Sequence, residues 1–214
     1  MKNLTLENIA RVCGGTYYGP ADKLQEEVMF VITDSRKAEE GCLFVPIVGE
    51  RVDAHKFIPQ VMEAGALATL SERVLDNADF PYIVVESSLQ AVKDIAEFYL
   101  KQLQIPVVGI TGSVGKTSTK EVIASVLNQK YHTLKTQGNF NNRVGLPKTL
   151  FQLDNSIEAA VIEMGMNSFG EISDLTRRAR PDAAVITNIG VAHIEYLGSR
   201  AGTVSYTHLT LPTN

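Results

Sequence analysis

The chain has 214 residues, 44% hydrophobic and 21% charged, with a net charge of −4. This is an ordinary globular balance, long enough for one large domain or two small ones, and it offers no broad basic surface for nucleic acid. The lysines and arginines are scattered, apart from Arg177, Arg178 and Arg180, which are expected to face solvent. Cys13 and Cys42 lack the spacing of a zinc site and are expected to be reduced, partly buried thiols. Residues 1–10 carry charges and no signal-peptide core, and no apolar run approaches the roughly 20 residues of a membrane span. A cytoplasmic protein without membrane insertion is expected.

Residues 1–84 read as a first unit. The apolar runs 43–47 and 82–85 predict strands, 54–64 predicts a helix, and Gly14-Gly15 and Gly19-Pro20 are turn signals. In 85–104, Leu89, Val92, Ala96, Tyr99 and Leu103 recur at steps of three and four. That is one face of a helix, capped by Ser87 or Ser88, which is expected to link two units.

From residue 105 strands and helices alternate. Strands are predicted at 105–110, 159–164 and 183–187. A helix over 116–130 would turn Val122, Ile123, Val126 and Leu127 to one side. A second helix would start at a capping box of Ser168 and Glu171 and end near Arg180, before Pro181. Such apolar strands predict a mostly parallel sheet with helices on both faces. The fold class is therefore α/β: a small N-terminal α/β domain, then a P-loop-type sheet. Residues 201–214 hold four threonines and no charge, and show no helical period.

The strongest local signal is Thr111-Gly112-Ser113-Val114-Gly115-Lys116-Thr117-Ser118, between a strand and a helix. Glycines let backbone amides close around phosphate oxygens, and the helix N-terminus adds free donors and a positive dipole end. Lys116 would reach the β- and γ-phosphates and Thr117 would bind Mg²⁺. The general pattern wants a further glycine where Ile110 stands, so only the shorter Gly-x-x-Gly-Lys-Thr form is present. A second metal contact from a neighbouring strand end is needed, and Glu163 fits it. His193 follows another strand end, where ligands of open α/β sheets bind.

Together these segments resemble the Mur ligase family over nearly the whole chain, to about Arg200. The family's ATP loop lacks the early glycine. Its Gly-Asn-x-Asn-Asn segment is matched by Gly138-Asn139-Phe140-Asn141-Asn142, followed by Gly145-Leu146-Pro147. Its metal ligands are matched by Glu163 and His193. The runs Glu163-Met164-Gly165, Gly170-Glu171-Ile172, Asn188-Ile189-Gly190, His193-Ile194-Glu195 and Leu197-Gly198-Ser199 look like the branch that joins D-alanyl-D-alanine to UDP-MurNAc-tripeptide. In the first unit, Thr33-Asp34-Ser35-Arg36, Leu43-Phe44-Val45 and Gly49-Glu50-Arg51 resemble its nucleotide-sugar domain.

The resemblance implies an ATP- and Mg²⁺-dependent ligase acting through an acyl phosphate, as a monomer. ATP would lie on Gly112, Ser113, Val114, Gly115, Lys116, Thr117 and Ser118, with Lys116 and His193 catalytic. Metal would be held by Thr117, Glu163 and His193. Ser35, Arg36, Asn139, Asn141 and Asn142 would face the substrate. The domains implied are 1–84 for the UDP-sugar, a linker helix at 85–104, a partial ATP-binding domain at 105–200, and a foreign tail at 201–214. Family members are about twice as long, so a truncated, inactive chain is expected. Another Mur-type or folylpolyglutamate-type amide ligase, or a non-catalytic P-loop binding module, are the alternative readings.

Overall fold

The computed structural model describes residues 1–49, 52–166, 168 and 170–189. The backbone divides into two compact units, Met1–Gln102 and Leu103 onward.

In the first unit, α1 (Leu6–Cys13) is capped by Thr5, whose hydroxyl accepts from the Asn8 amide at 3.2 Å, and is closed by Gly14 in the left-handed region. Strands β1 (Thr16–Tyr18), β2 (Phe30–Ile32), β3 (Cys42–Phe44), β4 (Ala68–Ser71) and β5 (Tyr82–Val84) form a sheet in the order β1-β5-β4-β3-β2. All neighbours are parallel except β1 against β5. Helix α2 (Ile58–Glu63), entered through a single 3₁₀ turn at Ala54–Phe57, buries Ile58 and Val61 against Ile32, Cys42 and Phe44. Helix α3 (Ser88–Leu103) is capped by Ser87, which accepts from the Gln90 amide at 3.3 Å. It is more than a linker. Its first amide donates to Glu72 at 2.7 Å, and the Arg11 guanidinium lies over the Phe98 ring, so it packs on the first unit.

The second unit holds β6 (Val107–Thr111), α4 (Lys116–Leu127), β7 (Thr133–Lys135), α5 (Gly145–Leu150), β8 (Ala159–Glu163), α6 (Glu171–Ala179) and β9 (Ala183–Ile186). Its sheet is wholly parallel, in the order β7-β8-β6-β9. The chain moves one way from β6 through α4 to β7 and the other way from β8 through α6 to β9. Right-handed crossovers therefore place α4 and α6 on opposite faces. Every residue of β8 is buried, the apolar run 159–162 and the terminal Glu163 alike.

Three expectations need correction. The buried side of α4 carries Lys120, Ile123, Ala124 and Leu127, packed on Ile110 and Val161, while Val122 and Val126 are about two-thirds exposed. Steps of three and four from Lys120 trace that face; Val122 and Val126, also spaced by four, lie on the flank the sheet leaves uncovered. Helix α6 is capped by Gly170 at φ 74°, two residues later than a box at Ser168 would place it. Arg178 does not face solvent: it is 4% exposed and its Nε donates to Asp174 at 3.1 Å, one helical turn away.

Both cysteines are free thiols, and burial, aided by Asp94, pushes Cys13 up to about 12. Its thiolate is therefore scarce at neutral pH. Alkylation of Cys13 at pH 8 should be many-fold slower in the native protein than in the unfolded one. On α4, Val122→Lys should shift stability by no more than about 0.5 kcal/mol in a denaturant titration, whereas Ala124→Asp should cost about 2 kcal/mol or more.

Candidate nucleotide and metal site

Strand β6 ends at the buried Thr111, and the chain turns through Gly112 at φ 137° and Gly115 at φ 83° before α4 opens at Lys116. L-residues avoid both torsions. Space adds a second requirement at Gly112, where a Cβ would lie 2.2 Å from Thr187 Oγ1. The first-turn amides of α4 have no intrahelical acceptor, and its positive dipole end meets the loop. Lys116 Nζ donates to the Gly112 carbonyl at 2.7 Å, so the ammonium is held over the loop's own backbone.

Parallel pairing of β6 with β8 sets Ile110 beside Glu163. That register delivers the carboxylate to the loop. Glu163 is 3% exposed. Its Oε2 accepts from Thr117 Oγ1 at 3.1 Å, and its Oε1 accepts from Asn141 Nδ2 at 2.9 Å. Its amide donates to Thr136 Oγ1 at 2.9 Å, which fixes the strand end. Lys120 Nζ, on the buried face of α4 one turn beyond Thr117, lies 3.6 Å from Oε2 and 3.5 Å from Glu121. A buried carboxylate needs such partners, because burial without them costs several kcal/mol.

The Thr117 hydroxyl and Glu163 oxygen suit a hard cation. Adjacent oxygens on an octahedral Mg²⁺ with bonds of ~2.1 Å lie about 3.0 Å apart, close to the 3.1 Å found here. A Mg²⁺ held by these two protein oxygens would leave most of its coordination positions to water and phosphate, as Mg²⁺ prefers.

The asparagine segment divides its work. Asn141 reaches Glu163, helped by Gly165, whose amide donates to the Asn141 carbonyl at 2.6 Å and where a Cβ would press on the Asn141 side chain. Asn142 Oδ1 accepts from the amides of Val144 and Gly145 at 3.1 and 2.8 Å, capping α5. Asn139 is exposed. Val114, Thr117 and Ser118 are exposed around the loop, and Ser113 is partly buried.

Ser35 and Arg36 lie in the first unit, in a 3₁₀ turn after β2. Asp34 caps that turn through the Arg36 amide and grips the guanidinium at 2.9 and 2.7 Å. The Arg36 side chain, aided by its amide, holds the Asp34 carboxyl down at about 2. His193 lies outside the described residues, as do Glu50, Arg51 and the runs after Ile189. Sequence reasoning assigned no role to Lys120, Thr136, Thr187 or Asn188. Lys120 had a signal, a lysine three residues after Thr117 on the stripe that includes Ile123 and Leu127.

A model of the Mur ligase middle domain matches residues 110–205, and one of the Mur ligase family catalytic domain matches residues 27–116. The chain belongs to the Mur ligase family. The UDP-N-acetylmuramoyl-tripeptide--D-alanyl-D-alanine ligase of Bacillus subtilis is 46% identical over 200 residues, covering 92% of this chain and 44% of that protein. The Escherichia coli ligase of the same name is 42% identical over 202 residues, covering 94% and 44%. Among solved structures, MurF from Acinetobacter baumannii superposes with TM-score 0.88 at 35% identity, over 97% of this chain and 47% of that one. MurF from Thermotoga maritima in complex with ADP gives 0.76 at 37% identity, over 83% and 41%. The chain thus spans less than half the length of these relatives, and the family read from its motifs is the one found.

Removing the buried carboxylate should leave Lys120 facing its hole. Glu163→Ala is expected to destabilise the fold by about 3 kcal/mol, and adding Lys120→Met should recover part of that loss in denaturant titrations.

Proposed function

We propose that the protein is an ATP-dependent ligase that joins D-alanyl-D-alanine to UDP-MurNAc-tripeptide in peptidoglycan precursor synthesis, acting as a cytoplasmic monomer. One observation carries the reading: the Thr117 hydroxyl, at the head of a glycine loop with Lys116, touches a buried carboxylate with the oxygen spacing of a magnesium site. The names of the relatives supply the substrates.

In this reading the tripeptide's terminal carboxylate attacks the γ-phosphorus of ATP and ADP leaves. The amine of D-alanyl-D-alanine then attacks the acyl carbon, and phosphate leaves with one former carboxylate oxygen. Both steps build negative charge on phosphate oxygens, so catalysis is mainly positioning and electrostatic stabilisation. Loop amides and Lys116 hold the β- and γ-phosphates. Thr117 and Glu163 would hold one Mg²⁺ and His193 a second, and the ions would neutralise phosphate charge. Asn139, Asn141 and Asn142 border the reacting groups, and Asn141 also keeps Glu163 aimed. Ser35 and Arg36 receive the uridine diphosphate end, which would compete with Asp34 for the guanidinium.

The test belongs to the full-length protein. Tripeptide labelled with ¹⁸O in its terminal carboxylate should deliver label to inorganic phosphate, together with the pentapeptide product. Lys116→Ala should lower that rate by about 10²–10³-fold with the fold intact. Turnover with a free amino acid but not with D-alanyl-D-alanine would indicate a different amide ligase. Nucleotide binding with no acyl product under any amine would indicate a binding module.

A further inference from the structure

The glycine loop is braced from a direction that the nucleotide reading does not use. Two of its amides are already committed. Ser113 N donates to the Asn188 carbonyl at 3.1 Å, and Val114 N donates to Asn188 Oδ1 at 3.1 Å. The neighbouring Thr187 amide donates to the Thr111 carbonyl at 2.9 Å, continuing the β6–β9 ladder one residue beyond the strand. Its hydroxyl lies 2.5 Å from the Val114 carbonyl and 3.3 Å from that of Thr111. One hydroxyl hydrogen serves one acceptor well, and the shorter contact takes it. Residues 187–188 thus hold both sides of the 113–114 segment. The closeness of Thr187 is also why no side chain fits at Gly112.

We propose that Asn188 is a positioning residue that keeps the first half of the loop shaped before nucleotide arrives. With Ser113 and Val114 tied to residue 188, phosphate would fall to the amides that open α4, which have no intrahelical acceptor. This rests on the reading of the loop as a phosphate site. An amide side chain suits the role because it supplies an acceptor with no charge. A carboxylate would supply the same acceptor and repel the phosphates beside it.

Amide hydrogen exchange measured by NMR on the 214-residue chain without nucleotide tests the brace directly. Asn188→Ala should speed exchange at Val114 by about tenfold, with a smaller rise at Ser113, while β6 amides such as Ile110 stay unchanged. Asn188→Asp should restore protection at Val114, since its Oδ1 still accepts. Thr187→Val, which keeps shape and removes the hydroxyl, should also loosen the loop. It provides the test if Asn188→Ala does not fold. Unchanged exchange at Val114 in Asn188→Ala, or in Thr187→Val where that variant is the one that folds, overturns the proposal. So does a uniform rise across the sheet, which would mark a merely structural residue. Lys116→Ala separates the two readings: it removes the contact to the Gly112 carbonyl but neither bond to Asn188, so Val114 should stay protected while nucleotide binding is lost.

Discussion

A buried carboxylate beside a glycine loop constrains the second unit. Glu163 sits at 3% exposure because four groups from three places converge on it. Thr117 and Lys120 come from α4, Asn141 from the asparagine segment, and Thr136 from the residue after β7. Each of these elements must be in register for the charge to be tolerated. The parallel pairing of β6 with β8 is what brings the glutamate level with the loop, and the apolar face of α4 on Ile110 and Val161 holds Thr117 over it. Under the proposed function, stability and chemistry would make the same demand on the same residues.

The glycines in this unit have separate purposes. Gly112 and Gly115 supply torsions that bend a strand into a helix over very few residues, and Gly112 also makes room for Thr187. Gly145 lets the backbone of Phe140 approach within what would be 2.4 Å of a Cβ, which folds the asparagine segment back over the start of α5. Gly165 performs the same service for Asn141. The segment therefore reaches Glu163 with Asn141 while Asn142 stays at home as a helix cap. In the first unit Arg36 is likewise engaged locally, by Asp34, so a ligand phosphate there would exchange partners rather than meet a bare cation.

Much of this was legible in the residues. The loop motif, its strand and helix, the strand bearing Glu163 and the α/β class all follow from patterns with a physical cause. What failed shows where local pattern ends. The buried side of α4 was misjudged because Val122 and Val126 are as apolar as Ile123, and only the sheet beneath decides which side is covered. Lys120 escaped notice because lysine is normally a surface residue; its burial makes sense only once Glu163 is opposite. Strand β7 and the short helix α5 carry too few residues for a period to show. The Asp174–Arg178 spacing of four shows in the sequence, but such a pair forms on exposed faces too, so it could not say that Arg178 is buried.

The central claim is that a divalent ion bound with nucleotide sits between Thr117 and Glu163. Titrating the protein with Mn²⁺ and ADP while recording its NMR spectrum tests this directly. Paramagnetic broadening should centre on Thr117, Glu163 and the loop from Gly112 to Ser118, and should require both the ion and the nucleotide. Broadening centred elsewhere in the second unit, with the Thr117 and Glu163 signals left sharp, would contradict it.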